Sequence, residues 1–83
     1  MNGQNSLQVG INNCMNGLGG LLQDDKKDEA REIVTWAFEK SDAGEFTDEC
    51  GEKFKTQLLA LMKDEEMDMA KSILDQWAFN LSF

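Results

Sequence analysis

Two stretches of the chain match each other: residues 18–34 read LGGLLQDDKKDEAREIV, and residues 58–74 read LLALMKDEEMDMAKSIL. Apolar residues recur in both at the three- and four-residue spacing of one face of an α-helix. A shift of 40 residues aligns six identical pairs: Leu18 with Leu58, Leu21 with Leu61, Asp24 with Asp64, Asp28 with Asp68, Ala30 with Ala70, and Ile33 with Ile73. The match predicts a repeated unit of helix, acidic turn and helix, although two unrelated amphipathic hairpins would also resemble each other.

The apolar pattern of the whole chain predicts four helices: Ser6–Leu22, Asp25–Asp42, a third helix that Thr47 caps and that runs to about Lys63, and a fourth that starts at Asp64 or Glu65. Two helical hairpins are too few for an extended repeat array, which needs three or more units. The sequence therefore predicts an all-α fold in which four short helices, arranged as two helical hairpins, form a small bundle, alone or completed by dimerisation. We expect one domain, 1–83, with residues 1–5 disordered.

The connection between the second and third helices has two local signals. Gly44 is suited to the left-handed conformation that ends helices, and Phe46 is expected to enter the core. The same connection, EKSDAGEFTDEC (39–50), superficially resembles a calcium-binding EF-hand loop with Gly44 at the turn. Positions that must supply oxygen ligands hold Ala43 and Cys50, so we predict no metal site.

The first helix is unusual because residues 1–23 carry no charged side chain. Gly3, Gly10 and Gly17 recur every seven residues beside its apolar stripe, where they allow a neighbouring backbone to come close. Each glycine inside a helix costs about 0.8–1.0 kcal/mol relative to alanine. We therefore expect this helix to form only when the rest of the chain or a partner covers its stripe, which makes Gly10 and Gly17 candidate partner-binding residues.

The composition excludes several functions. The 83 residues include 16 acidic and 8 basic side chains and no histidine, for a net charge of −8. This charge disfavours direct binding to nucleic acid or to an anionic membrane and favours a basic partner. Without histidine the common triad and zinc schemes are missing, so we predict neither an enzyme nor a bound cofactor. Cys14 and Cys50 are expected to be reduced and buried, in a cytoplasmic protein.

Acidic residues gather at corresponding places in the two hairpins. The first acidic cluster contains Asp24, Asp25, Asp28, Glu29 and Glu32, and the second contains Asp64, Glu65, Glu66 and Asp68. Such residues stabilise helix N-termini and keep a small protein soluble. They would also form one negative surface for a partner if the hairpins packed side by side.

Two tryptophans fall at different angles on their helices. Trp77 lies on the apolar stripe of the fourth helix and is predicted to be in the core. Trp36 lies about 130° from the centre of the stripe of the second helix, given 3.6 residues per turn. It is therefore either an exposed interface anchor or a rim residue that the first helix covers.

These features predict a small non-enzymatic protein–protein interaction module, regulatory or adaptor-like, which binds a basic or apolar partner surface and can form a homodimer. One alternative is an acidic inhibitor that imitates nucleic acid and blocks a DNA- or RNA-binding protein. A second is a structural or secreted subunit of a bacterial assembly, because the uncharged amino terminus resembles the leader of some type III secretion substrates.

Overall fold

The computed structural model describes residues 3–82, and within them the chain forms four α-helices. These are α1 (Gly3–Leu18), α2 (Lys27–Asp42), α3 (Asp48–Leu59) and α4 (Met67–Leu81). The main helix contacts pair α1 with α2 and α3 with α4, and α2 packs on α3 to join the two hairpins. The predicted all-α bundle of two helical hairpins is confirmed.

The two hairpins repeat each other in structure as well as in sequence. Leu22 and Met62, which are 40 residues apart, meet in an antiparallel β-bridge between the two turns. The backbone N–H of Gln23 donates to the carbonyl of Leu61 (3.0 Å), and that of Lys63 donates to the carbonyl of Leu21 (2.8 Å). The 40-residue shift pairs Gln23 with Lys63 and Leu21 with Leu61, so each of these hydrogen bonds is the counterpart of the other. An approximate twofold axis therefore passes between Leu22 and Met62.

This bridge explains why two predicted helix ends were wrong. The first helix ends at Leu18 instead of Leu22, and the third ends at Leu59 instead of about Lys63. Leu21 and Leu22 are buried at the predicted spacing, but their backbone belongs to the turn. Glycines 19 and 20 disfavour a helix, and the opposite turn supplies hydrogen-bond partners that would otherwise come from another helical turn.

The helices that follow the turns also begin slightly later than predicted. The acidic residues directly after the bridge form two 3₁₀ turns, Asp24–Lys26 and Asp64–Glu66, and the α-helices start at Lys27 and Met67. The predicted sharp turn between the third and fourth helices is confirmed. Each turn thus carries carboxylates at the entrance of a helix, where they favour the positive end of the helix dipole.

The core is formed by apolar side chains from both hairpins. Among the described residues, every buried side chain is apolar, and the largest fully buried ones include Phe54, Ile11, Leu18 and Leu58. Burying such a side chain contributes about 1.5–3 kcal/mol. The apolar stripe of α1 is therefore covered by its own chain, which stabilises a helix that its glycines disfavour.

Local chemistry sets the connection from α2 to α3 as predicted. Gly44 has φ +73°, and the N–H of Glu45 donates to the carbonyl of Lys40 (2.8 Å), which closes the end of α2. Phe46 is buried in the core. The hydroxyl oxygen of Thr47 accepts a hydrogen bond from the N–H of Cys50 (3.3 Å), which caps α3.

The predicted disordered segment, residues 1–5, is described only in part. Residues 1 and 2, which belong to the segment predicted to be disordered, lie outside the described residues, whereas residues 3–5 form the start of α1. No helix within residues 3–82 combines the length and apolar character needed to span a bilayer.

Candidate functional site

Both acidic clusters lie near the β-bridge, at the same end of the bundle. The first cluster follows Gln23 and the second follows Lys63, and the antiparallel bridge directs the two away from each other to either side of the twofold axis. All their side chains are exposed except that of Glu66, which is half-buried. The clusters therefore form two negative surfaces, one on each side of the β-bridge.

Basic groups interrupt these negative surfaces. The Lys26 ammonium is 3.5 Å from a carboxylate oxygen of Glu29, and Lys63 Nζ donates to the carbonyl of Gly20 (3.4 Å). Exposed ion pairs of this kind contribute little to stability, about 0–1 kcal/mol. The main effect of the clusters is therefore their negative electrostatic field, which the positive charge of Lys63 reduces beside the β-bridge.

Trp36 is half-buried, and its ring faces the third helix. The Nζ of Lys53 on α3 lies 4.9 Å from the ring centroid, within the range of a cation–π contact. This contact places the residue at the joint between α2 and α3. Trp77, predicted to be in the core, is also half-buried and packs against Phe38 at 5.8 Å between ring centroids.

The two candidate glycines of α1 have different surroundings. A methyl group added to Gly10 would lie 2.7 Å from Cε2 of Phe38, so the chain itself uses the close approach that this glycine allows. Gly17 is exposed, and an added methyl would meet nothing within 4 Å. A side chain at Gly10 would displace the ring of Phe38, whereas one at Gly17 would meet no neighbour.

The sequence did not predict a groove that runs between α3 and α4. It has a volume of about 470 Å³, and Phe46, Gly51 and Ala78 form its floor. Those three residues are buried, whereas the side chain of Phe79 at the rim is 76% exposed. We call this feature the α3–α4 groove. Its other lining residues are Thr47, Asp48, Glu52, Lys55, Asp75 and Ser82.

The α3–α4 groove is negatively charged. Its three carboxylates come from Asp48, Glu52 and Asp75, and its one cation is the ammonium of Lys55. The ammonium lies 3.3 Å from a carboxylate oxygen of Asp75 and 3.3 Å from one of Glu52. Hydrogen bonds to those two carboxylates raise the pKa of Lys55. The groove thus carries three negative charges and one positive charge. The positive charge, on Lys55, is paired with Glu52 and Asp75.

The two cysteines are free and lie in different environments. Cys14 is fully buried, and desolvation raises its pKa to about 12. Cys50 was predicted to be buried but is half-exposed, because it lies in the first turn of α3. Hydrogen bonds from the side chain and backbone of Thr47 lower its pKa. Only Cys14 therefore behaves as the inert core thiol that the sequence predicted for both.

In residues 3–82, no three cysteine or carboxylate side chains converge in a way that could hold a metal ion. The loop with the superficial calcium-site pattern forms the end of α2, the Gly44 turn and the start of α3.

Comparison with known proteins gave no relative. The sequence matches no protein-family model, no curated protein is similar to it, and no solved structure matches its fold.

Proposed function

We propose that the protein is a non-enzymatic protein–protein interaction module that binds a basic partner and serves as a regulator, adaptor or inhibitor. The observation that carries this proposal is the α3–α4 groove, where the exposed ring of Phe79 lies beside three carboxylates on a chain of net charge −8. A partner that presents an apolar side chain among lysines or arginines satisfies both features. In protein interfaces a few apolar or aromatic anchors supply most of the binding energy.

The acidic clusters support the same function through their long-range field. A surface with one dominant sign of charge speeds the encounter with an oppositely charged protein, and salt screens this effect. Affinity differences among related complexes arise mostly from dissociation rates, which depend on close contacts. The clusters therefore contribute to the association rate, and the groove contributes to the lifetime of the complex.

The groups in the groove favour binding over catalysis. Its hydroxyls already have structural partners, because Thr47 caps α3 and Ser82 Oγ donates to the carbonyl of Phe79 (3.0 Å). Its amine is held between two carboxylates. A nucleophile paired with a base, which acyl or phosphoryl transfer needs, has no candidate among these groups.

The proposed location is the cytoplasm. Cys14 and Cys50 are both free, and Cys14 lies inside the core of the first hairpin. Free thiols persist in a reducing compartment, so this thiol chemistry supports an intracellular module.

Capture of partners from an extract of the source cells tests the proposed function. The immobilised protein is incubated with the extract at low and at high ionic strength, with and without an excess of DNA and RNA fragments. We expect a basic protein that stays bound when nucleic acid is added and whose association slows as salt rises. Recovery of only acidic proteins, or of none, would contradict the proposal.

A second candidate function is that of an acidic inhibitor that imitates nucleic acid. The observation that favours it is the pair of acidic clusters on either side of the approximate twofold axis, since two rows of carboxylates can imitate two rows of phosphates. It predicts that the captured protein binds DNA or RNA and that nucleic acid releases it. Binding that does not depend on salt would exclude this function.

The third function, a subunit of a bacterial assembly, has no observation of its own. It rested on the uncharged amino terminus, whose apolar stripe on α1 is covered within the chain: Ile11, Cys14 and Leu18 are all buried.

A further inference from the structure

The second hairpin departs from the first at one position in the floor of the α3–α4 groove. The 40-residue shift places Gly51 of α3 at the position of Ile11 of α1. Ile11 is buried and fills its place between the helices of the first hairpin. Gly51 contributes no side chain at the corresponding place in the second hairpin, and Phe46 and Ala78 lie beside it in the floor of the groove.

The packing of the chain itself does not require a glycine at position 51. A methyl group there would lie 3.6 Å from Cε1 of Phe46 and 3.9 Å from Cβ of Ala78, which are ordinary van der Waals contacts. Gly10 differs, because a methyl there would lie 2.7 Å from the ring of Phe38. Glycine is a poor helix residue, so the chain keeps an unfavourable residue at a place where the methyl group of alanine would fit.

A second departure from the repeat lies at the same groove. The triplet Trp77-Ala78-Phe79 matches Trp36-Ala37-Phe38 only after one inserted residue, so the 40-residue shift places Ala78, and not an aromatic residue, at the position of Phe38. The central alanine of each triplet is buried. Phe38 is covered, because it packs on Gly10 and on Trp77. Phe79 has no such cover and is the most exposed large apolar side chain among the described residues. The missing floor side chain and the uncovered ring therefore occur together.

Size and charge define what fits this groove. Pockets of about 300–1,000 Å³ accommodate small molecules or a few side chains, and this groove measures about 470 Å³. Asp48, Glu52 and Asp75 against the single ammonium of Lys55 leave it two charges negative. That charge attracts lysine and arginine. It also opposes a second copy of the same chain, whose net charge is −8.

We propose that the α3–α4 groove binds a short segment of a partner protein in which one large apolar side chain is flanked by lysine or arginine. The apolar side chain occupies the space above Gly51 and contacts Phe79, and the basic residues pair with Asp48 and Asp75. This inference rests on the proposed function and assigns that function to one site and one type of ligand.

Selection from a library of random displayed peptides tests the inference with defined ligands. We expect enriched peptides to carry an aromatic or large aliphatic residue next to lysine or arginine. The affinity of one enriched peptide is then measured for the wild type and for G51A, F79S and M69S. M69S is the matched control for F79S, because it also replaces an exposed apolar side chain of α4 with serine but lies outside the groove.

The variants separate the site from a general effect on stability. G51A is expected to fold, to raise the unfolding midpoint and to weaken peptide binding about tenfold, because the methyl occupies the anchor position. F79S is expected to weaken binding by a similar factor. M69S is expected to bind like the wild type.

Each other outcome overturns a definite part of the account. Basic peptides that bind G51A and F79S as tightly as the wild type would refute the groove and leave the proposed function intact. Enrichment of peptides without basic residues, or of none, would refute both. A wild-type dimer that G51A converts to a monomer would show that a second copy fills the groove.

Discussion

Gly10 of α1 and Phe38 of α2 approach so closely that a methyl group on the glycine would lie 2.7 Å from the phenylalanine ring. The ring in turn packs against Trp77 of α4, at 5.8 Å between centroids. A single glycine thus lets one aromatic ring join three helices. The glycines of α1 all lower its helix propensity, but they differ in their packing: Gly10 allows the contact with Phe38, and Gly17 has no neighbour within 4 Å of an added methyl group.

Alanine substitutions at Gly10 and Gly17 are expected to have opposite effects on stability. G10A overpacks the Phe38 contact and should lower the free energy of unfolding by about 1–3 kcal/mol. G17A fills open space on an exposed helix face and should raise it by about 0.5–1 kcal/mol. Urea unfolding followed by tryptophan fluorescence measures both. Equal effects of the two substitutions would contradict the assigned packing.

Removal of residues 1–22 is expected to unfold the protein. The truncation deletes α1 and Leu22, and with them the buried side chains of Ile11, Leu18 and Leu22 and one partner of the β-bridge. Met15 and Leu21 are also lost, and five buried side chains at about 1.5–3 kcal/mol each remove about 7.5–15 kcal/mol. This is as large as the whole free energy of unfolding of a domain of this size, about 4–12 kcal/mol. Circular dichroism and proton NMR spectra of the truncated chain provide the test. A cooperative, helical fragment would contradict this prediction and show that α2 and the second hairpin fold without α1.

Stability is expected to fall in alkaline solution because of Cys14. Burial raises the pKa of this thiol from 9.0 to about 12, so the unfolded chain releases the proton at a lower pH than the folded chain. The stabilisation from the raised pKa is complete below pH 9 and is lost as pH rises toward 12, by at most about 1.4 kcal/mol per pH unit. Urea unfolding of the wild type and of C14A across this range measures the slope. The difference between them isolates the thiol from the lysines, and C50A serves as the control that keeps the slope.

The two thiols are expected to react at very different rates. Cys50 is half-exposed with a lowered pKa, whereas Cys14 is buried with a raised one. A thiol reagent should therefore modify Cys50 quickly and Cys14 only when the core opens. Mass spectrometry of the labelled protein over time identifies the modified residue. Rapid labelling of Cys14 in C50A would indicate that the first hairpin opens readily.

Much of the fold follows from local chemistry in the sequence. Gly44, Phe46 and Thr47 behave as their residue types predict, because a left-handed turn, an apolar side chain beside a helix and an N-cap depend on few neighbours. The ends of α1 and α3 were not predictable in this way. They depend on the bridge between Leu22 and Met62, which joins residues 40 positions apart.

The groove was missed for a related reason. Gly51 looks like one glycine in a helix, and Phe79 lies off the apolar stripe of α4, so neither gives a signal alone. Their meaning comes from comparison with the first hairpin, where the 40-residue shift places Ile11 at the position of Gly51 and Phe38 at the position of Ala78. Trp77 was assigned to the core by its position on the stripe, but it lies at the edge, where Phe38 covers part of its ring.

The most direct measurement is site-specific photo-crosslinking in the source cells. A photoreactive phenylalanine analogue replaces Phe79 in one variant and Met69 in the other, because both side chains are exposed and both lie on α4, but only Phe79 borders the groove. The account predicts a covalent adduct with a basic protein from position 79 and none from position 69. Equal adducts from both positions, or an adduct only from position 69, would contradict it.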